Sequence, residues 1–389
     1  MNIYMSILLF SNIITSFLIT YLAIPPIIRV SNAKHLFDVP NHRKLNKTVV
    51  PTLGGISIFI GLTLSSFIFL ENTPMPEGRF LFAAIVMMFF TGLKDDLLII
   101  SAKKKLMVQI AASLLLVILG KFRITHTYEL ASISHLNDWF SIPLSVLIIL
   151  FVINSINLID GIDGLAAGVS LLISSVLGGW FYMAGFVNYG IICLALAGSL
   201  LAFLRFNLWG GKNKIFMGDT GSLILGILLA AVVIKFNELN FSAPYPFHFN
   251  QAPVMALALF IVPVTDTIRI FTIRIYQKKS PFSPDMNHIH HLLIKSGLSH
   301  IQASSFLVAY TGLFILMALT MEPYLNITLG FPLLLALSFA MAGIIYKKSK
   351  QAEERATVIA SDEPGIIIRL PFQNKAHGNP PIPEKRRIR

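Results

Sequence analysis

Eleven uninterrupted apolar runs constrain this chain more than any other feature. They fall at about 5–28, 51–70, 79–94, 106–121, 139–157, 164–184, 188–204, 220–236, 252–273, 302–320 and 326–346. The runs are continuous and do not alternate, which excludes an outer-membrane barrel. With 55% hydrophobic and only 13% charged residues, the chain carries more apolar surface than a water-soluble fold can bury. The predicted class is therefore an all-α, polytopic integral membrane protein with about eleven transmembrane helices. The first basic residue, Arg29, follows the first apolar run, so that run is expected to be a retained span and not a cleaved signal. The single cysteine, Cys193, lies within an apolar run and is expected to pack in the core.

Basic residues set the expected orientation. With the N-terminus outside and the C-terminus in the cytoplasm, all of the 31 Lys and Arg residues except Arg79, Lys121, Arg123 and Lys235 fall on the inner side. The net charge of +12 is then mostly this asymmetry and implies no nucleic-acid partner. A basic inner face suits anionic membrane lipids and anionic substrates. Two parts are expected: a transmembrane domain over 1–346 and, from 347 to 389, a disordered basic cytoplasmic tail rich in Pro, Gly and charge.

The polar clusters all fall between spans on that same side. They are "FDVPNHRKLNKTVVPTLGG", "GLKDDLLIISAKKKLMVQ", "NSINLIDGIDGL", "FNLWGGKNKIFMGDTGS" and "RIYQKKSPFSPDMNHIHHLL". One cytoplasmic site built from five loops is the economical reading. Asn154, Asn157, Asp160 and Asp163 recur every third residue, which on a helix keeps neighbours adjacent while the set wraps half a turn. Ionisable groups placed this close to hydrocarbon are functional by default. Asp95 and Asp96 put two carboxylates side by side, and Lys94 or a divalent metal could neutralise them. Asp219, flanked by Gly218 and Gly221 before an apolar run, suits an oxygen-ligated Mg²⁺ or a phosphate at a helix N-terminus; a plain helix cap is the alternative. His288, His290 and His291 have no Cys nearby and lack the i, i+4 spacing of a helical zinc pair. With Arg274, Lys278, Lys279 and Lys295 around them they resemble an anion or nucleotide clamp. Lys103, Lys104 and Lys105, like Arg43 and Lys44, serve either as membrane anchors or as phosphate contacts. The chain has no Gly-x-Ser-x-Gly elbow, Walker loop or nicotinamide fingerprint. The inventory reads as Mg²⁺-assisted phosphoryl transfer between a soluble diphosphate and a molecule in the bilayer.

"RKLNKTVVPTLGG", "GLKDD", "NSINLIDGIDGL", "FMGDTGSL" and "SPFSPDMNHIHHLL", in this order, resemble the polyprenyl-phosphate N-acetylhexosamine-1-phosphate transferases (glycosyltransferase family 4). The "HIHH" loop and the span count are closer to the WecA/TagO branch than to the MraY branch. The resemblance implies that undecaprenyl phosphate attacks the β-phosphate of a UDP-N-acetylhexosamine, most often UDP-GlcNAc, releasing UMP. It implies Mg²⁺ as cofactor, with Mn²⁺ as a substitute, and a multi-pass protein of the bacterial inner membrane whose active site faces the cytoplasm. Taken with the polar clusters, it makes Asp95, Asp96, Asp160, Asp163 and His288 the catalytic candidates, Lys105, Asn157, Arg274, His290 and His291 the substrate contacts, and Asn154 and Asp219 the metal ligands. The resemblance itself carries Asp95, Asp96, Lys105, Asn154, Asp160, Asp219, Arg274 and His288, and the others come from the clusters. One departure is Asn46, where the family commonly has His; Asn cannot titrate and is given no catalytic part. Two alternatives stay open: a family member using another UDP-sugar, and a secondary transporter. A transporter would gather its polar groups near the bilayer midplane in repeat-related halves, whereas here they lie at one surface and no repeat is evident.

Overall fold

The run "GDTGSLILGILLAAVVIKF" is apolar on every side yet rich in Gly, Ser and Ala, the composition of a helix packed by other helices at close range. In the computed structural model it forms α8 (Gly218–Leu239) at the centre of the protein, with 83% of its apolar window buried. The structure describes residues 3–38, 50–98, 100–129, 135–243, 247–280 and 287–362. Around α8 stand α1 (Ile3–Ala33), α2 (Gly54–Phe69), α3 (Gly78–Leu98), α4 (Ala102–Leu114), α5 (Asp138–Ile159), α6 (Leu165–Met183) and α7 (Val187–Trp209). After it come α9 (Ala252–Leu259), α10 (Ile261–Tyr276), α11 (Ile289–Lys295), α12 (His300–Met321) and α13 (Ile327–Asp362). A π-helical turn, Leu115–Leu119, continues α4, and a two-residue antiparallel pair joins Phe37–Asp38 to Val50–Pro51.

Each of the eleven apolar runs is helical, but not all are alike. Among the described residues, seven helices are long and apolar enough to cross a membrane: α1, α5, α6, α7, α8, α12 and α13. An eighth candidate, α9 with α10, is bent by 74°. The bend follows from Pro263, which has no N–H to give to the carbonyl one turn back. The other three runs are the 16-residue α2, α3 with its charged ends, and α4 with its π-turn. The result is an all-α, polytopic membrane protein.

The helices are tied by buried polar groups as well as by apolar packing. Asn12 of α1 donates to the Ile191 carbonyl of α7 at 2.8 Å and accepts from Ser65 of α2 at 2.7 Å. Away from water such bonds have no solvent competitor, so they fix helix register. Cys193 is buried in this core, as expected. α13 does not end at the composition boundary near 346 but continues to Asp362. The added stretch, "KKSKQAEERATVIASD", is dominated by good helix formers. Its inner part packs on α11, where Lys295 pairs with Glu353 at 3.1 Å and Ser349 is buried. The rest of the expected tail, 363–389, lies outside the described residues, as do Arg43, Lys44 and Asn46.

Candidate active site

The floor of the site is backbone. Phe216 donates to the Pro51 carbonyl, while Gly54 and Gly55 donate to the carbonyls of Phe216 and Met217, at 2.8, 2.9 and 2.9 Å. These bonds lay the segment before α2 alongside the one before α8. Gly218, at φ +71°, turns the chain into α8, a conformation that costs a side chain strain. At Gly55 of α2 and Gly92 of α3 these helices come against the backbone of α8. A Cβ on Gly55 would lie 2.1 Å from Gly221 N, and one on Gly92 would lie 2.4 Å from Thr220 Cα.

On this floor the carboxylates gather. Asp96 of α3 accepts from the backbone N–H groups of Asp219 and Thr220 at 2.8 and 2.9 Å and from the Thr220 hydroxyl at 2.5 Å. It thus satisfies the exposed donors of the first turn of α8, as an N-cap does. Its neighbour Asp95 accepts from Ile100 N–H at 2.8 Å and from the Lys105 ammonium at 3.0 Å. Lys105 also donates to Asp219 Oδ1, so one cation bridges the two carboxylates. Asn157 of α5 donates to the same Asp219 oxygen at 2.7 Å and to Ser222 at 2.8 Å. Asn154, one turn earlier, donates to the Gln109 side chain at 3.2 Å and to the Leu150 carbonyl at 2.7 Å. Asp160 is the C-cap of α5. Burial, then the charges of Asp219, Asp96 and Asp163, push its carboxyl well above the usual range.

Asp163 faces elsewhere. Its carboxylate pairs with Lys214 at 2.7 Å and lies 3.2 Å from His300 Nδ1, and its carbonyl accepts from Ser304. It joins the α5–α6 turn to the α7–α8 loop and to α12. The histidines approach the same turn from the other side. His290 is buried and, among the described residues, has no hydrogen-bond partner on either ring nitrogen; a Cβ on Gly161 would fall 2.4 Å from its Nε2. Burial, and next the neighbouring His291, hold His290 well below the usual imidazole range. His288, the N-cap of α11, places Nδ1 2.9 Å from Asp266 Oδ2, and the rings of His288 and His290 lie nearly parallel, 5.5 Å apart. His291 is also buried, as is Arg274 in the last turn of α10.

The five sequence clusters therefore converge at one end of the bundle. Asp95, Asp96, Lys105, Asn157 and Asp219 are directly bonded into one network, with Asp160 in electrostatic contact. Asp266 was not evident from sequence: it is a lone acidic residue inside an apolar run, and only its intramembrane position marks it. Among the described residues, no group of three or more His, Cys, Asp or Glu is set for a metal. The donor chemistry nevertheless suits a hard divalent cation. The oxygens of Asp95 and Asp219 already hold a cation between them, the Lys105 ammonium.

Comparison with known proteins settles the family. The family described as glycosyl transferase family 4 matches residues 79–237. A probable undecaprenyl-phosphate N-acetylglucosaminyl 1-phosphate transferase of Bacillus subtilis (strain 168) is 31% identical over 306 residues, covering 75% of this chain and 79% of its own. The chain belongs to glycosyl transferase family 4. Other relatives are the undecaprenyl-phosphate alpha-N-acetylglucosaminyl 1-phosphate transferases of Yersinia pestis and Escherichia coli (strain K12). They are 29% and 28% identical, covering 69% and 75% of this chain and 72% and 78% of their own. The family 4 match runs from the start of α3 nearly to the end of α8, so it takes in the whole carboxylate network. Asp266 and the histidines lie beyond it.

Proposed function

We propose that this chain transfers N-acetylglucosamine 1-phosphate from UDP-GlcNAc to undecaprenyl phosphate at the cytoplasmic face of a bacterial inner membrane, releasing UMP, as the first membrane step of a cell-envelope polysaccharide. The observation that carries this reading is the bridging of Asp95 and Asp219 by Lys105, on a floor of backbone at one end of an apolar bundle. Two relatives named for this kind of transfer, to undecaprenyl phosphate, support it. The basic residues crowded on the same side as the five loops support the cytoplasmic placement, with the N-terminus outside.

In this reading an oxygen of the lipid phosphate forms a bond to the β-phosphorus. The bond from that phosphorus to the bridging oxygen breaks, and UMP leaves with the electron pair. The lipid phosphate is already an anionic nucleophile, so the chain's task is positioning and charge compensation. Lys105, freed from one carboxylate, meets phosphate oxygens as a compact point charge. Asn157 holds Asp219 by one oxygen and leaves the other to a ligand. Asp219 and Asp160, with the amide oxygen of Asn154 on the same helix, are the residues that would hold Mg²⁺, which supplies neutralisation of diphosphate charge. Arg274, His288 and His291 stand on the nucleotide side, with His290 packed behind the α5–α6 turn.

The test is UMP release by purified protein given undecaprenyl phosphate and UDP-GlcNAc, with and without a chelator. UDP-GalNAc and UDP-MurNAc-pentapeptide serve as competing donors. Turnover with UDP-GlcNAc that chelation stops is the expected result. Turnover only with another donor would reassign the sugar, and no turnover with any would remove the transferase reading.

A further inference from the structure

We infer that Asp266 is a positioning residue for His288, fixing which nitrogen of that imidazole faces the reactants. The inference rests on the transferase reading for the role of His288, but not for the contact itself. Asp266 sits on α10 within the apolar run 252–273 and is 1% exposed. A bare carboxylate at the centre of a span is costly, and such groups are held by partners. Asp266 is not bare. Oδ2 faces His288 Nδ1 at 2.9 Å, and Oδ1 accepts from Ile289 N–H at 2.9 Å and from Arg269 at 3.1 Å. Arg269 in turn donates to the Asn287 carbonyl. Three successive residues, Asn287, His288 and Ile289, are thus held by one pair on α10.

The chemistry of the pair is directional. An ionised carboxylate only accepts hydrogen bonds, so the proton on His288 must sit on Nδ1. That leaves Nε2 as the working nitrogen, and a carboxylate in this place orients the ring and sets its tautomer. His288 is itself buried, and its ring lies at 12° to that of His290, so it cannot turn freely. A loop fastener would need only the Ile289 and Arg269 bonds; the bond to the ring nitrogen is the one a fastener does not require.

A double-mutant cycle on UMP release separates the two roles. Asp266→Asn should lower kcat about 10–100-fold, with KM for UDP-GlcNAc changed far less, since partners of this kind act through the residue they orient. In a His288→Gln background the same substitution should change kcat less than about twofold, because the residue it acts through is gone. Asp266→Glu should recover part of the loss. Multiplicative losses in the double variant, or Asp266→Asn with wild-type kcat, would overturn the proposal. A second measurement needs no turnover: ¹⁵N-histidine spectra of the substrate-free protein, with His288 assigned by its loss in His288→Gln. Nδ1 should be protonated in the wild type and the tautomer should shift in Asp266→Asn. An unprotonated Nδ1 in the wild type overturns the proposal whatever the kinetics show. A wild type that releases no UMP removes the transferase reading alone, and the spectra then decide the positioning.

Discussion

Asp96 reaches from α3 to Thr220 of α8 with three bonds, counting the one to the adjacent Asp219 amide: two to backbone N–H groups and one to the Thr220 hydroxyl. The cap of the central helix is therefore supplied by a different helix. Asp219, the next carboxylate of the site, stands on the turn that this cap holds in place. Stability and chemistry meet at one side chain.

Asp96→Ala should destabilise the protein by about 2 kcal/mol, the scale of a lost N-cap plus donors left without partners. Thermal unfolding in detergent would show it as a clear fall in midpoint. A variant that keeps its midpoint but loses turnover would mean that Asp96 meets reactants and that its capping contributes little.

For Asp219→Asn and Asp160→Asn the expectation is near-complete loss of UMP release with the fold intact. Amides keep the shape and some hydrogen bonding but remove the charge that phosphoryl transfer needs, commonly worth several kcal/mol. Activity measured against rising Mg²⁺ or Mn²⁺ checks this, because a ligand variant can be partly rescued. If Asp219→Asn turned over normally at limiting Mg²⁺, the metal assignment would be wrong and Asp219 would revert to a helix-terminal residue.

Gly92→Ala should fold poorly or unfold early. Its Cβ would overlap the Thr220 backbone, and main chain cannot rotate away as a side chain can. The cost is that of overpacking, about 1–3 kcal/mol or more. Gly179→Ala, where a Cβ meets nothing within 4 Å, is the matched control and should be silent.

The Asp163 carboxyl gives a pH signature. Burial pushes it up, but hydrogen bonds from His300 and Lys214, and their charges, outweigh this and hold it below the usual range. A group with a depressed folded pKa stabilises fully above its unfolded value of about 3.9, and that contribution fades as pH falls through the folded value. The wild-type unfolding midpoint should drop more steeply than that of Asp163→Asn as pH falls below about 4. Parallel curves would mean that the pairing adds no stability.

Truncation should divide the C-terminal segment in two. Removing 363–389 should leave turnover per inserted molecule unchanged. Removing 347–389 should lower it, because the inner part of α13 braces the helix that carries His290 and His291. Equal activity of the two truncations would show that the brace is dispensable.

The sequence announces the helices because a hydrocarbon-facing run leaves the backbone few choices. It announces the site because acidic and amide residues at such places are costly unless used. Pair partners were hidden. Asp163 reads as one of four equivalent polar residues, yet its carboxylate is spoken for by Lys214 and His300, which come from distant parts of the chain. "DD" reads as a metal pair, but spacing alone cannot show that one member caps a helix 123 residues away. Asp266 left only a single-residue signal. The end of α13 was missed because composition marks where a helix leaves the lipid, not where it stops.

The backbone contacts of Gly55 and Gly92 with α8 also bear on how this site can change over generations. A carboxylate placed by packed side chains can drift when a neighbour is replaced and others settle around the gap. The turn that carries Asp219 is set by main chain against main chain as well as by the Asp96 cap, and a backbone clash leaves little for a neighbouring substitution to relieve. The backbone floor beneath the carboxylates is therefore the part of the site least able to change shape, whatever the walls around it do.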